Sequence, residues 1–234
     1  MARLPKPLGV IPLGDLAAYV EFSRTLDLEV NSVAQRLAAA VVASGDPRIR
    51  DVVPALGGVA VHFDPAFEGD VLQAAGQLVE QCMKKGLPDA DDLGADVEVP
   101  VCYDAEFALD LPEVAQRLKM APEEVTKRHL DGRYRVLMVG FAPGHPYIGG
   151  LDAKLALPRR DTPRANVPAG SVAIANQQTV VYPYAIPGGW NVIGRTPLVG
   201  FDAMRPKPSL FAAGDRVRFR AIDKREFVAL KERQ

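Results

Sequence analysis

Aromatic rings and arginines crowd one stretch of this sequence in types suited to holding a small anion. Between residues 140 and 200, Tyr147, Tyr182, Tyr184 and Trp190 offer flat, partly polar faces, and Arg160, Arg164 and Arg195 can each fork onto a carboxylate or phosphate. The stretch also holds nine of the chain's 20 glycines and eight of its 20 prolines. Glycine lets the backbone approach a ligand closely and turn with positive φ. Five basic residues against two acids give this stretch a charge of +3, while the whole chain carries -1. A local positive field in a turn-rich region suits a small carboxylated or amide-bearing molecule. The competing account is plain: tyrosines and Gly-Pro turns furnish any small barrel, and surface arginines are usually solvated.

Familiar catalytic signatures are missing. The sequence has no GxxxxGK[ST] phosphate loop, no GxSxG elbow, no HExxH and no CxxC. His62, His129 and His145 stand far apart, so a metal site built on histidine alone needs all three to converge. Ser171 follows a glycine in a strand-like setting and reads as a turn serine, not a nucleophile. Of the 234 residues, 48% are hydrophobic and 24% charged, the profile of a globular chain without a basic field for nucleic acid or anionic membrane. No apolar run approaches the roughly 18–20 residues of a membrane span. The start, MARLPKPLGVIPLGDL, lacks the apolar core of a secretion signal. Cys82 and Cys102 make neither a disulfide framework nor a metal-ligand spacing. These features point to a cytoplasmic protein.

The elements that must position the rich stretch can be read from periodicity. Ala18, Val20 and Phe22 alternate with Tyr19 and Glu21 as a half-buried strand. Ser32 with Gln35 signals a capping box for a helix carrying Val33, Leu37 and Val41, stopped by Gly45 and Pro47. Short strands at 49–53 and 58–63 follow. A second helix from about Asp70 carries Ala75, Leu78, Val79 and Cys82 on one stripe. Val97, Val99, Val101 and Tyr103 alternate as a last strand, which Pro100 marks as an edge or bulged one. This order predicts a ferredoxin-like βαββαβ domain over 1–104. Asp110 and Glu113 bracket a second capping box, and a further helix starts near Pro122 and ends by Gly132 with His129 in its last turn. Short strands at 134–141, 171–175, 178–182, 190–193 and 216–220 then predict a β-barrel domain over 105–234, making the chain α+β.

The strings GFAPGHPYIGGLD, LALPRRDTPRANVPAGSVAIA and YPYAIPGGWNVIGRTPL resemble the signature of the allophanate hydrolase subunit 1 family. That family includes the KipI kinase inhibitor, the 5-oxoprolinase component PxpB and part of the carboxyltransferase region of urea carboxylase. The resemblance continues upstream through EVPVCYDAEFALDLPEVAQRL, EEVTKRHL, DVVPALGGVAVHFDP and GDLAAYVEF, nearly the whole chain. It implies an N-terminal α/β domain followed by a cyclophilin-like barrel. It also implies a non-autonomous subunit of an ATP-dependent 5-oxoprolinase, opening the lactam of 5-oxoproline to glutamate. Such a subunit works with a PxpC-like partner (allophanate hydrolase subunit 2) and a PxpA-like lactam-utilisation protein.

Under that resemblance, His145, Tyr147, Arg160, Arg164, Gln178, Tyr182, Gly189 and Trp190 are expected to bind a small carboxylated substrate. Arg195 would stabilise developing negative charge, and His129 is the candidate proton carrier because histidine titrates near neutral pH. The alternative for His129 is a charged ring against its helix dipole. His145 stands where many members carry Phe in PGFPYL, which puts a polar group at the pocket rim. The segments 105–108 and 176–181 also depart from the family's glycine-containing patterns. Two other members offer alternatives: a surface that inhibits a sensor histidine kinase, and a carboxyltransferase part of a biotin-dependent urea carboxylase. For the latter, Met83–Lys84–Lys85 is not a biotinylation sequence, so biotin would arrive on a partner.

Overall fold

The computed structural model describes residues 5–233, so the first four residues of the stretch weighed as a secretion signal lie outside it. The chain divides after Gly94 into two compact units. In the first, β1 (Gly9–Pro12), β2 (Ala17–Glu21), β3 (Ile49–Ala55) and β4 (Gly58–Phe63) form one antiparallel sheet in the order β1-β2-β4-β3. Helices α1 (Leu28–Ala43) and α2 (Val71–Lys85) pack on it through Val33, Leu37, Val41, Leu78 and Val79. The start of α1 is not the Ser32 box. Asp27 caps it, accepting from the Glu29 and Val30 N–H groups, and Gln35 instead donates to Asn31 inside the helix. An extended Asp one residue before the first turn reaches both free N–H groups, whereas Ser32 already lies inside the first turns.

The largest departure from expectation is β5 (Asp96–Cys102). It does not close the N-terminal sheet. It runs parallel to β13 (Arg216–Ile222) over seven paired positions and meets β12 (Asn191–Arg195) at Cys102. The place beside β2 that a βαββαβ unit reserves for its last strand is taken by β1, antiparallel to β2. A short turn with Gly14 at φ +71° joins β1 to β2. Such a local hairpin has a far smaller closure cost than a strand some 75 residues downstream. The N-terminal unit is therefore ββαββα, and the boundary falls at Gly94, not after residue 104.

The second unit is a closed barrel of seven strands. Around it run β10 (Gln178–Val181), β7 (Pro146–Gly149), β6 (Tyr134–Val139), β13, β5, β12 and β9 (Ser171–Ala175). Helices α3 (Leu111–Leu118), α4 (Pro122–Leu130) and α5 (Lys224–Lys231) accompany it, and β8 (Arg164–Val167) pairs with β11 (Ile186–Gly188) as a separate two-stranded arm. Alternation sorts the wall residues. Val172, Ile174, Val181 and Ile193 fill the interior with Val99, Val101 and Phe219. Their neighbours Ala173, Ala175, Val180 and Val192 face outward into a second cluster with Val167, Tyr182 and Trp190. Every residue of β9 is therefore buried, which explains its unbroken apolar run. Short β7, β8, β11 and the helix α5 were not among the elements expected. Yet α5 carries a clear start signal, since Asp223 accepts from the Glu226 N–H.

Candidate functional site

A cavity of about 250 Å³ opens on the outer side of the barrel wall, next to the β8–β11 arm. Five of the expected residues line it: His145, Tyr147, Tyr182, Gly189 and Trp190. Each is set by a specific element. Tyr147 stands on β7 opposite Val180 of β10. Tyr182 follows β10, held by its N–H to the Ser171 carbonyl at 2.9 Å. His145 ends a tight loop in which the Gly140 N–H donates to its carbonyl at 3.0 Å. The rings meet edge to face: His145 lies 5.3 Å from Tyr182 at 90°, and Tyr147 lies 6.0 Å from Trp190 at 65°. Such tilted contacts are the favoured geometry of aromatic pairs.

The glycine that matters sterically is Gly188. A Cβ there would lie 2.2 Å from the Tyr182 hydroxyl, whereas at Gly189 the space is ordinary. Gly189 contributes its carbonyl instead, accepting from the Arg160 N–H at 2.7 Å. Asn191 Nδ2 donates to the Pro158 carbonyl at 3.0 Å. The backbone on both sides of Arg159 is thus tied to the neighbours of Trp190, and the exposed Arg159 guanidinium sits 5.6 Å from the centre of the indole. It lines the cavity, and no acid pairs with it among the described residues. Arg159 and Phe141 line the cavity and Asn191 braces the backbone beside it; none of the three was among the expected site residues. Phe141 lines the mouth, 69% exposed and at φ +70°, a backbone state unusual for a bulky residue. The adjacent pair Arg159–Arg160 carried a signal, but nothing in its sequence context tells which of the two faces the site.

Burial tunes the polar members. His145 is 2% exposed, its Nδ1 is buried without a hydrogen-bond partner, and burial lowers its pKa to about 4, so the ring is neutral at pH 7. Burial raises the Tyr182 phenol to about 12, so it keeps its proton.

Arg160 and Arg164 do not present free guanidinium groups to this cavity. Arg164 forks onto Asp110 at 2.6 and 2.8 Å, and Arg160 Nη1 donates to Asp110 at 2.8 Å and to Glu113 at 3.0 Å. Asp110 is 2% exposed and also accepts from the Val192 N–H at 2.7 Å. It precedes α3 but makes no side-chain cap, because two cations and a strand N–H claim both its oxygens. The two arginines tie α3 and β8 to β12.

His129 also stands elsewhere. It is fully buried inside the barrel, 4.4 Å from Phe219 and 5.4 Å from Tyr134, on the other side of the wall from the cavity. Thr179 gives its only proton to the Ala173 carbonyl at 3.1 Å, so it must accept from His129 Nε2 at 3.2 Å. Nδ1 then accepts from the Tyr103 hydroxyl at 2.8 Å. Desolvation drives its pKa down to about 3. A neutral ring with both nitrogens satisfied neither shuttles protons at the cavity nor answers a helix dipole. Arg195 is likewise remote: it ends β12, five residues or roughly 16 Å along the chain from Trp190. Its Nε donates to the Ala169 carbonyl at 2.7 Å. Gln178 begins β10 outside the cavity lining, its Nε2 buried without a partner.

The sequence model described as carboxyltransferase domain, subdomain C and D, matches residues 8–211. The chain belongs to this family. It is 38% identical over 228 residues to the 5-oxoprolinase B subunit of Bacillus subtilis, covering 94% of this chain and 95% of that one. Among solved structures of the family, TTHA0988 superposes with a TM-score of 0.76 at 37% identity over 89% of this chain; the match spans only 40% of that longer protein. The Kluyveromyces lactis urea amidolyase shares the fold with a TM-score of 0.69 at 19% identity, over 98% of this chain and 16% of that one.

Proposed function

We propose that this chain is the B subunit of a 5-oxoprolinase, which adds water across the ring amide of 5-oxoproline to give glutamate. The observation that carries this reading is the end-to-end match to a 5-oxoprolinase B subunit, with no large segment of either chain left over. The chain's own share is binding and orientation. The outer cavity supplies an unpaired cation, two large aromatic faces and a neutral histidine, but no nucleophile. Its residues do not fit a nucleoside triphosphate: about 250 Å³ and one guanidinium are too little for an adenosine with three phosphates. ATP, which the reaction consumes, is therefore assigned to a PxpC-like partner, and a PxpA-like lactam-utilisation protein completes the complex. The setting is cytoplasmic, where the buried thiols of Cys82 and Cys102 stay reduced. The biotin-dependent alternative rests on fold likeness alone.

The test is reconstitution from purified components. Glutamate should form from 5-oxoproline and ATP only when this chain and both partners are present, and this chain alone should be inert. A mixture that works equally well without this chain, or a complete mixture with no turnover, overturns the proposal.

A further inference from the structure

We propose that the outer-face cavity binds a small cyclic amide bearing a carboxylate: the carboxylate on Arg159, the ring against Trp190 and Tyr147, the amide on His145. The ligand class rests on the 5-oxoprolinase reading above; its placement rests on the geometry. Three observations point the same way. Arg159 is the cavity's cation: its neighbours Pro158 and Arg160 are tied to Asn191 and Gly189, its guanidinium lies beside Trp190, and it faces no acid among the described residues. A guanidinium so placed takes a carboxylate through two parallel N–H bonds, with little ordering left to do on binding.

The second observation is His145. A buried ring whose Nδ1 has no hydrogen-bond partner is an unmet demand, and a buried polar group without a partner is costly. Nδ1 is the nitrogen without a partner, and the ring belongs to the cavity lining. A secondary amide presents a carbonyl and an N–H side by side, so a neutral imidazole finds its complement whichever nitrogen holds the proton. Three aromatic neighbours stand within 5.5 Å of the ring, and no carboxylate of the described residues touches it. It is the only imidazole among the residues that line the cavity.

The third is size. About 250 Å³ holds a five-membered ring with one substituent but not a nucleotide or a peptide.

Trp190 is the only tryptophan in the chain, so its fluorescence reports on this cavity alone. The full chain is titrated with 5-oxoproline, with 2-pyrrolidone (amide without carboxylate) and with cyclopentanecarboxylate (carboxylate without amide). A saturable change with 5-oxoproline is expected, and each truncated analogue should bind roughly ten- to hundred-fold more weakly. Arg159→Gln should weaken 5-oxoproline by the same factor while leaving 2-pyrrolidone unchanged. His145→Phe should weaken 5-oxoproline and leave cyclopentanecarboxylate unchanged. Absence of saturable binding, or binding that ignores both substitutions, overturns the assignment. If the reconstituted complex makes glutamate while Trp190 stays silent, the cavity assignment fails and the 5-oxoprolinase reading stands. If Trp190 reports binding while the complex is inert, the reverse holds.

Discussion

His129 and His145 are buried on opposite sides of one barrel wall and are neutral for the same reason, the cost of placing a charge away from water. Both have folded-state pKa values, about 3 and about 4, below the ordinary histidine value. Above about pH 6.5 neither state is charged, so stability is fully present. As pH falls through the window from about 6.5 towards 4, unfolded chains take up protons that folded chains refuse. Stability should drop by on the order of 1 kcal/mol per pH unit for each ring. His145→Phe removes one of the two contributions. In urea unfolding from pH 7.5 to 4.5, the variant should match the wild type near neutrality and exceed it in acid. A variant with the wild-type slope would show that His145 is not held neutral by burial. The type and position of His129 were legible from sequence, but its surroundings were not. Nothing in EEVTKRHL says that Tyr103 and Thr179, 26 and 50 residues away, satisfy both its nitrogens.

At the scale of elements, Asp110 and β5 show where local patterns fell short. Asp110 looked like a cap because Asp, Pro and Glu in that order usually are one. Its real role is long-range: it joins α3 to Arg160, Arg164 and the backbone of β12. Asp110→Ala leaves the Arg164 guanidinium and the Val192 N–H without their acceptor and Arg160 with Glu113 alone. The expected loss is about 3 kcal/mol, read as a shift in the urea midpoint, since removing one partner of a buried charged network leaves the others unmatched. A change below about 1 kcal/mol would mean the arginines are solvated after all. Alternation marked β5 as a strand correctly, but alternation carries no record of which sheet it joins. Val99 and Val101 are fully buried among barrel residues, and Pro100 is tolerated because β5 meets β12 only at Cys102. A fragment starting at Ala95 should therefore fold, with dispersed amide resonances. One starting at residue 105 should not, because β13 and β12 lose the strand between them. If the shorter fragment folds equally well, β5 is dispensable to the barrel.

Across the whole molecule, the barrel and helices α1 to α4 were legible from composition, periodicity and turns. What was not legible is the wall itself. Residues two apart in sequence share a face, and a one-residue step separates Thr179, which holds His129 inside, from Val180, which packs beside the cavity outside. Sequence could gather the rich stretch into one site. Only the closed sheet shows that it splits into an interior network, a structural ion-pair hub and an outer cavity. The account's central claim is that the outer cavity, and not the other two, serves the reaction. The direct test is the steady-state KM for 5-oxoproline of the reconstituted complex carrying Arg159→Gln. The account predicts a KM raised roughly ten- to hundred-fold with kcat little changed, the mark of a lost binding contact. An unchanged KM, in a complex that still assembles and turns over, would contradict it.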